Sequence, residues 1–284
     1  MENLIHYVLF PLTFTAILNG FLISLLVVIP MSILSCFIIL KNQSFVGEAI
    51  AHSVLPGIVL AHIAGISLGI GAFIAAIVCT LCSGYLKEKI DFKEDILLSI
   101  VFSSMFAIGI ILMLKVQSAV HFNHILLGDM LGISRLDIIE TAFFSFLSLS
   151  FLILKKNDLL VIIFDPMHAR SVQIPIKLLH YMFLIVLSLV IVISLKSIGL
   201  ILPPAVLVLP GATAFLLSKH HTTMILIAIM ISIVSTILGI YLSFFINSAA
   251  APTIVMLMAI FFAISFLYSV INKRKKTFLL PSQE

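Results

Sequence analysis

The sequence predicts an all-α polytopic membrane protein with about nine transmembrane helices, eight or nine in all. Its 284 residues are 62% hydrophobic and only 10% charged, whereas a soluble domain carries about 25% charged residues. Apolar runs recur along the whole chain at close to the roughly 20 residues that a helix needs to cross a bilayer. Because lipid offers no partner to an unpaired backbone group, these runs are predicted to be helices.

The spans follow from reading the apolar runs against their polar interruptions. The interruptions near Gly65 and Ser197 are short, so tight hairpins are expected there. The segment 116–136 is less regular and is predicted to hold a short helix outside or partly within the membrane. The predicted spans are 11–40, 47–64, 66–86, 95–115, 137–154, 178–196, 198–218, 223–246 and 251–271.

The basic residues predict the orientation of the chain, because cytoplasmic loops are enriched in lysine and arginine. A cytoplasmic C-terminus and nine alternating spans place 13 of the 16 basic residues inside and the N-terminus outside. Since these residues lie between apolar runs, the net charge of +4 is not read as a sign of nucleic-acid binding. One transmembrane domain is expected over 1–272, followed by a basic cytoplasmic tail over 273–284.

One acidic residue is predicted to lie within a span. Glu48 stands four residues before His52 and eight before Pro56. An ionisable residue in a membrane is costly unless it is paired or hydrated, which makes Glu48 a functional candidate. Glu48 and His52 share a helical face. Pro56 has no N–H, so the His52 carbonyl is expected to lose its helical partner and become available to a ligand.

A carboxylate, an imidazole and a carbonyl on one face suit a divalent first-row cation such as Mn²⁺, Fe²⁺ or Zn²⁺. The alternative is a hydrogen-bonded Glu–His pair that serves packing, since the spacing alone is a weak motif. His62, His124 and Asp129 are placed on a possible ion path. The alternatives are a packed or interfacial role for His62 and a solvated loop for the other two.

Helix breakers are concentrated in the segment from Gly199 to Ala214, which contains Pro203, Pro204 and Pro210. Such a segment predicts a broken or kinked span, which a membrane protein tolerates where protein or a cavity satisfies the freed backbone groups. A mobile helix lining a pore and a static kink are both compatible with the pattern.

An ordered set of motifs from about residue 35 to 270 resembles the permease subunits of bacterial ATP-binding-cassette importers for zinc, manganese and chelated iron. Three features depart from that family's pattern: Glu48 stands where Asp is usual, Gln173 replaces a common Gly, and the pair Pro203–Pro204 is unusual in the kinked span. The segments that carry the resemblance are Ser44–Gly57 (GDAxxHxxLPG), Lys93–Ser104 (KED…GxxFSS), His124–Asp129 (HxLFGxxL), Phe164–Ser171 (FDxxxARSxG) and Gly199–Ala214 (VGxxLxxAxxxxPxATA).

The resemblance implies a non-enzymatic transport subunit of the bacterial cytoplasmic (inner) membrane that imports manganese or iron, with zinc as the alternative cargo. It also implies three partners: a second permease chain, identical or paralogous; a cytoplasmic ATPase dimer; and an extracytoplasmic metal-binding protein. The chain itself has no GxxxxGK sequence followed by Ser or Thr, the phosphate-binding loop of such ATPases.

By the same resemblance, Glu48 and His52 are expected to be ligands of the transported ion, and no resident cofactor is expected. Asp165, Ala169 and Arg170 are expected to belong to a coupling helix that contacts the ATPase. The alternative from a different class is a stand-alone ion-coupled transporter in which Glu48 and His52 carry protons.

Overall fold

The computed structural model of the chain describes residues 15–90, 92–116, 134–199 and 202–278. Over these residues the chain forms α-helices and no strands. The helices are α1 (Thr15–Leu40), α2 (Val46–Ser53), α3 (Leu55–Ala64), α4 (Leu68–Lys89), α5 (Glu94–Val116), α6 (Arg135–Leu154), α7 (Lys156–Phe164), α8 (Pro166–Ser171), α9 (Ile176–Ile198), α10 (Leu202–Val206), α11 (Leu209–Leu217), α12 (His221–Ile246) and α13 (Ala250–Phe278).

Eight helical segments of the described chain are long and apolar enough to cross a membrane, and a ninth, shorter apolar segment covers Leu202–Leu217. Helices α2 and α3 together form one of the eight, Val46–Ala64, with an interruption at Val54. The ninth consists of α10 and α11, which are separated at Leu207 and Val208. The prediction of an all-α polytopic protein with eight or nine spans is therefore confirmed, and so is the break in the Gly199–Ala214 segment.

Side-chain contacts bring the predicted inner loops together at one end of the bundle. Lys41 Nζ, just after α1, lies 3.5 Å from Nδ1 of His180 in the second turn of α9. Lys156 Nζ, at the start of α7, lies 3.0 Å from Oγ1 of Thr222 in the first turn of α12. We call this end, where Lys41, Lys156, His180 and Thr222 lie, the basic end. Because α9 and α12 both begin there, the broken segment α10–α11 must return the chain from the opposite end, as a ninth crossing requires.

Helix α1 lies at the centre of the bundle and is packed by α6, α9, α10, α11 and α12. Its side chains Val28, Met31, Leu34 and Phe37 are completely buried. Helices α5 and α13, in contrast, are largely uncovered and carry many exposed large apolar side chains. An outward apolar surface of this extent is typical of a chain surrounded by lipid or by further membrane subunits.

Two glycines allow α3 and α4 to touch at the backbone. A Cβ atom on Gly57 would lie 2.1 Å from the carbonyl oxygen of Gly71, and a Cβ on Gly71 would lie 2.2 Å from that of Gly57. Small residues at crossings are how membrane helices gain packing without a hydrophobic driving force between them. This crossing holds α3, and with it the end of α2, against the rest of the bundle.

Candidate functional site

Helix α2 presents Glu48 and His52 on its one open face. Glu48 lies in the first turn and His52 in the last, because the helix is interrupted at Val54, two residues before Pro56. The remaining residues of α2 are buried, whereas Glu48 is exposed and His52 is half-buried. The pair is therefore one helical turn apart on the same face, as the spacing predicts.

The Glu48 carboxylate has no hydrogen bond or ion pair with any residue that the structure describes. Within the same ranges, no group of three or more His, Cys, Asp and Glu residues could hold a metal ion. Glu48 and His52 thus supply at most two side-chain donors from one chain, whereas four ligands are the usual minimum for Zn²⁺ and six are common for Mn²⁺. Beyond the side chains that the structure describes, any bound ion would need further ligands, such as backbone, water or residues of another chain.

The His52 carbonyl is less free than Pro56 predicts. The backbone N–H of Val54 donates a hydrogen bond to it at the interruption of the helix. The helical partner at Pro56 is lost as the sequence predicts, but the chain turns at Val54 and brings a different N–H to this carbonyl. A carbonyl oxygen has two lone pairs, so one remains for a ligand.

The imidazole of His52 packs against two phenylalanines of α5. Its ring centroid lies 5.5 Å from that of Phe106, with 75° between the ring planes, and 6.2 Å from that of Phe102, with 39° between the planes. Phe102 also packs edge-to-face against Phe45, which precedes α2, at 5.6 Å. In the sequence, Phe102 stands out only as part of the Lys93–Ser104 motif, and Phe106 is not predicted to have a role. Their spacing of four residues on one helix was the available signal.

The break between α10 and α11 lies beside this site. A Cβ atom on Gly47 would lie 2.9 Å from Cδ1 of Leu207, the first residue of the break. On the far side of the break, the N–H of Gly211 donates to Oγ of Ser35 in α1 at 2.8 Å. The broken span is thus in contact with the residue next to Glu48 and is fastened to the central helix.

The structure does not bring His62, one of the predicted path residues, to the Glu48–His52 pair. His62 is exposed in the last turn of α3. It lies ten residues beyond His52, or about 15 Å along a helix axis, so it is closer to the end of the bundle opposite the basic end. His124 and Asp129 lie outside the described residues.

The segment predicted to couple to an ATPase forms the short helix α8 at the basic end. Asp165 caps it, since its Oδ1 accepts the N–H of His168 at 2.9 Å, and Pro166 occupies the first helical position. Ala169 is completely buried and Arg170 is exposed. Asp165 and Arg170 therefore belong to the surface of the basic end, and Ala169 fixes α8 to the bundle.

Helix α8 ends in a left-handed turn. Gln173 has a φ of +59°, and the N–H of Ile174 donates to the carbonyl of Ala169 at 3.0 Å. Glycine adopts this conformation without steric cost, which explains why a glycine is usual here in the proteins that the motif resembles. The departure at Gln173 keeps the turn and adds backbone strain.

Comparisons with known proteins agree with the motifs. The model of the ABC 3 transport family matches residues 13–269. A Haemophilus influenzae protein named "Probable iron transport system membrane protein" is 44% identical over 268 residues, which cover 94% of this chain and 99% of that protein. The chelated iron transport system membrane protein YfeD of Yersinia pestis is 43% identical, with 88% and 84% covered.

The manganese transport system membrane protein MntB of Synechocystis is 37% identical over 92% of this chain and 86% of its own length. Among solved structures, PsaBC from Streptococcus pneumoniae in complex with Fab superposes with a TM-score of 0.82 at 32% identity, covering 92% of this chain and 95% of that chain. Both the sequence and the fold are thus shared over nearly the whole chain. The protein is a multi-pass membrane protein of the bacterial inner membrane, and it belongs to the ABC 3 transport family.

Proposed function

We propose that this chain is the membrane permease subunit of an ATP-driven importer for a divalent transition metal, with manganese or iron as the cargo and zinc as the closest alternative. The observation that carries the proposal is the open face of α2. There a carboxylate and an imidazole lie within a membrane span with no hydrogen-bond partner among the described residues. An ionisable group so placed is costly unless a ligand, water or a partner chain satisfies it.

The chemistry of the pair favours a first-row cation. A carboxylate oxygen is a hard ligand and an imidazole nitrogen is a borderline one, a combination that suits Mn²⁺, Fe²⁺ and Zn²⁺ better than Mg²⁺ or Ca²⁺, which prefer oxygen alone. The names of the relatives support manganese and iron as cargo. Glu48 keeps the charge of the usual Asp and extends the carboxylate by one methylene.

The exposure of Glu48 supports a second permease chain in the assembly. The described residues of a single chain leave the pair uncovered and supply too few side-chain ligands for an ion. A second chain, identical or paralogous, would cover this face and contribute its own donors, so that the ion passes between two permeases. The large exposed apolar area of α5, next to α2, offers a surface for that contact.

The basic end supports a cytoplasmic ATPase partner. The positive-inside rule places this end in the cytoplasm, and α8 exposes Asp165 and Arg170 there. We propose that a separate ATPase dimer docks on α8 and supplies the ATP hydrolysis that drives transport. An extracytoplasmic metal-binding protein would deliver the ion at the opposite end, near His62.

The test is metal-resolved uptake in cells that lack other metal importers, with and without this chain. We expect the chain to restore uptake of manganese or iron, and this uptake to stop when ATP hydrolysis is blocked. Uptake that survives the loss of ATP hydrolysis but collapses with the proton gradient would instead establish a stand-alone ion-coupled transporter. Restoration of zinc uptake alone would make zinc the cargo.

A further inference from the structure

We propose that Phe102 and Phe106 are positioning residues that hold the His52 imidazole in its metal-binding orientation, in place of the hydrogen bond that usually does so. The inference rests on the proposed function, since it assumes that His52 is a ligand of the transported ion. It assigns a role to α5, a helix that provides no ligand of its own.

The geometry is that of a clamp built from two helices. Phe102 and Phe106 are four residues apart and therefore lie on one face of α5. Both contact the His52 ring, the first at 6.2 Å and the second at 5.5 Å between centroids. Phe45 supports Phe102 from the side of α2 at 5.6 Å. Edge-to-face and tilted aromatic pairs at these distances are attractive and have a preferred geometry.

The backbones of the two spans are held together close to the clamp. A Cβ atom on Gly109 in α5 would lie 2.9 Å from Cγ of Leu55 and 2.9 Å from the backbone nitrogen of Pro56. Gly109 is one turn beyond Phe106, and Pro56 is one turn beyond His52. The two helices therefore approach closely one turn from the aromatic contact. This approach fixes the position of both phenylalanines, along the helix axis, relative to the imidazole.

Hydrogen bonding does not fix this imidazole in the described structure. A histidine that binds a metal almost always donates its other ring N–H to a carboxylate, a carbonyl or water, which orients the ring and raises its basicity. Neither ring nitrogen of His52 has such a partner among the residues that the structure describes. Among the described residues, the contacts that can orient the ring are those with the two phenylalanines.

The use of aromatic packing in place of a hydrogen bond has a chemical consequence that fits a transport site. Aromatic packing orients the imidazole without the added electron density that a hydrogen bond to a carboxylate supplies to a metal-binding histidine. A transported ion must bind strongly enough to enter and weakly enough to leave. A clamp of this kind provides the placement without the tighter binding that a carboxylate–imidazole hydrogen bond would produce.

The experiment uses the purified permease–ATPase complex and Mn²⁺ alone as the probe. Bound Mn²⁺ is measured by equilibrium binding, and the imidazole ligand is detected by the ¹⁴N coupling of the bound ion in pulsed EPR. Phe102→Leu and Phe106→Leu keep an apolar side chain and remove the ring. Phe106→Tyr restores the ring, and Phe151→Leu removes a partly buried phenylalanine of α6 that packs on the core away from His52.

We expect each leucine variant to weaken Mn²⁺ binding about tenfold, the lower end of what the loss of a supporting group costs a metal site, and to reduce the ¹⁴N coupling. Phe106→Tyr and Phe151→Leu should behave like the unmodified complex. Co-purification with the ATPase reports on assembly, and Phe102→Leu serves as the test if Phe106→Leu does not assemble.

The outcomes separate this inference from the proposed function. If His52→Ala abolishes the ¹⁴N coupling while both leucine variants keep affinity and coupling, the clamp is refuted and the metal site stands. If His52→Ala itself leaves affinity and coupling unchanged, His52 is not a ligand and the proposed site falls with the inference.

Discussion

Two regions of the molecule each contain a glutamate and a histidine, but these groups are paired in only one of the two regions. At the basic end, Lys41 Nζ lies 3.5 Å from Nδ1 of His180, and the Nε2 of that histidine lies 3.6 Å from Oε1 of Glu94. On the open face of α2, Glu48 and His52 have no such partners among the described residues. In the first region the groups satisfy one another across three spans. In the second, no residue that the structure describes satisfies them.

The difference indicates which charges serve the fold and which serve transport. The cluster of Lys41, Glu94 and His180 joins the end of α1 to the starts of α5 and α9, with the Lys41 ammonium also 4.9 Å from the ring centroid of Phe183. Paired groups of this kind stabilise an arrangement of helices. An unpaired carboxylate in a span destabilises the isolated chain, and its presence is explained if an ion or a second chain completes it.

Substitutions on the unpaired face of α2 are expected to have the largest effect on metal uptake. Glu48→Gln and His52→Ala should each lower metal uptake by about 100-fold, the upper range for loss of a group at a metal site, because each removes one of two side-chain donors. Uptake by cells that express each variant is the measurement, with ATPase co-purification as the check on assembly. Glu140→Gln, an exposed acid of α6, is the matched control and should leave uptake unchanged. Normal uptake by either site variant would remove that residue from the site.

A second large effect tests whether unpaired charge at the basic end is also functional. Arg170 is exposed and has no ion pair with any described residue. Arg170→Glu should abolish uptake and weaken ATPase binding, since reversing an interface charge typically costs 2–5 kcal/mol, or on the order of 30-fold or more in affinity.

Mn²⁺ binding by the permease should be retained in this variant. Co-purification of the ATPase is the measurement, and Arg135→Glu, an exposed arginine at the opposite end of the bundle, is the control. Undisturbed ATPase binding in Arg170→Glu would count against a coupling role for α8.

Substitutions that remove an ion pair at the basic end should lower the stability of the fold and leave metal transport unchanged. The side chains of His180 and Glu94 are 25% and 17% exposed, whereas those of Lys177 and Glu88, 3.1 Å apart, are 78% and 38% exposed. Glu94→Gln should therefore lower the free energy of unfolding by about 1–2 kcal/mol, and Glu88→Gln should lower it less, because solvent screens an exposed ion pair.

Thermal unfolding of the purified protein measures both changes, and metal uptake should stay near normal in both variants. A loss of uptake in Glu94→Gln with unchanged unfolding would reverse the assignment of this cluster to the fold.

The smallest expected effect concerns pH. Burial lowers the pKa of Lys41, partly offset by the nearby Glu94 carboxylate. Between this lowered pKa and the ordinary value of 10.5, the unfolded chain binds more protons than the folded one, so stability should rise with pH. Lys41→Met should flatten that rise in thermal unfolding measured across alkaline pH. An equal slope in both proteins would show that Lys41 is not desolvated.

The sequence was sufficient for the spans and for the helical face that Glu48 and His52 share. Uninterrupted apolar runs predict helices because lipid cannot satisfy free backbone groups, and a separation of four residues places Glu48 and His52 together on whatever helix contains them. Both inferences depend only on local geometry. The cap formed by Asp165 and Pro166 is local in the same sense.

Contacts between helices were beyond the reach of the sequence. Lys41 and His180 are 139 residues apart, and nothing in either segment indicates that the other is its partner. The same holds for Phe106 against His52 and for Gly57 against Gly71. The His52 carbonyl shows a subtler limit, since Pro56 removes one donor but the turn at Val54 brings another.

The most direct test of the difference between the unpaired face and the paired cluster is Mn²⁺ binding by the assembled permease–ATPase complex in two variants. One variant combines Glu48→Gln with His52→Ala on the unpaired face, and the other carries Glu94→Gln in the paired cluster. We predict that the first complex loses Mn²⁺ binding and that the second binds as the unmodified complex does. Unchanged binding by the first, or lost binding by an assembled second, would show that the unpaired face does not hold the ion.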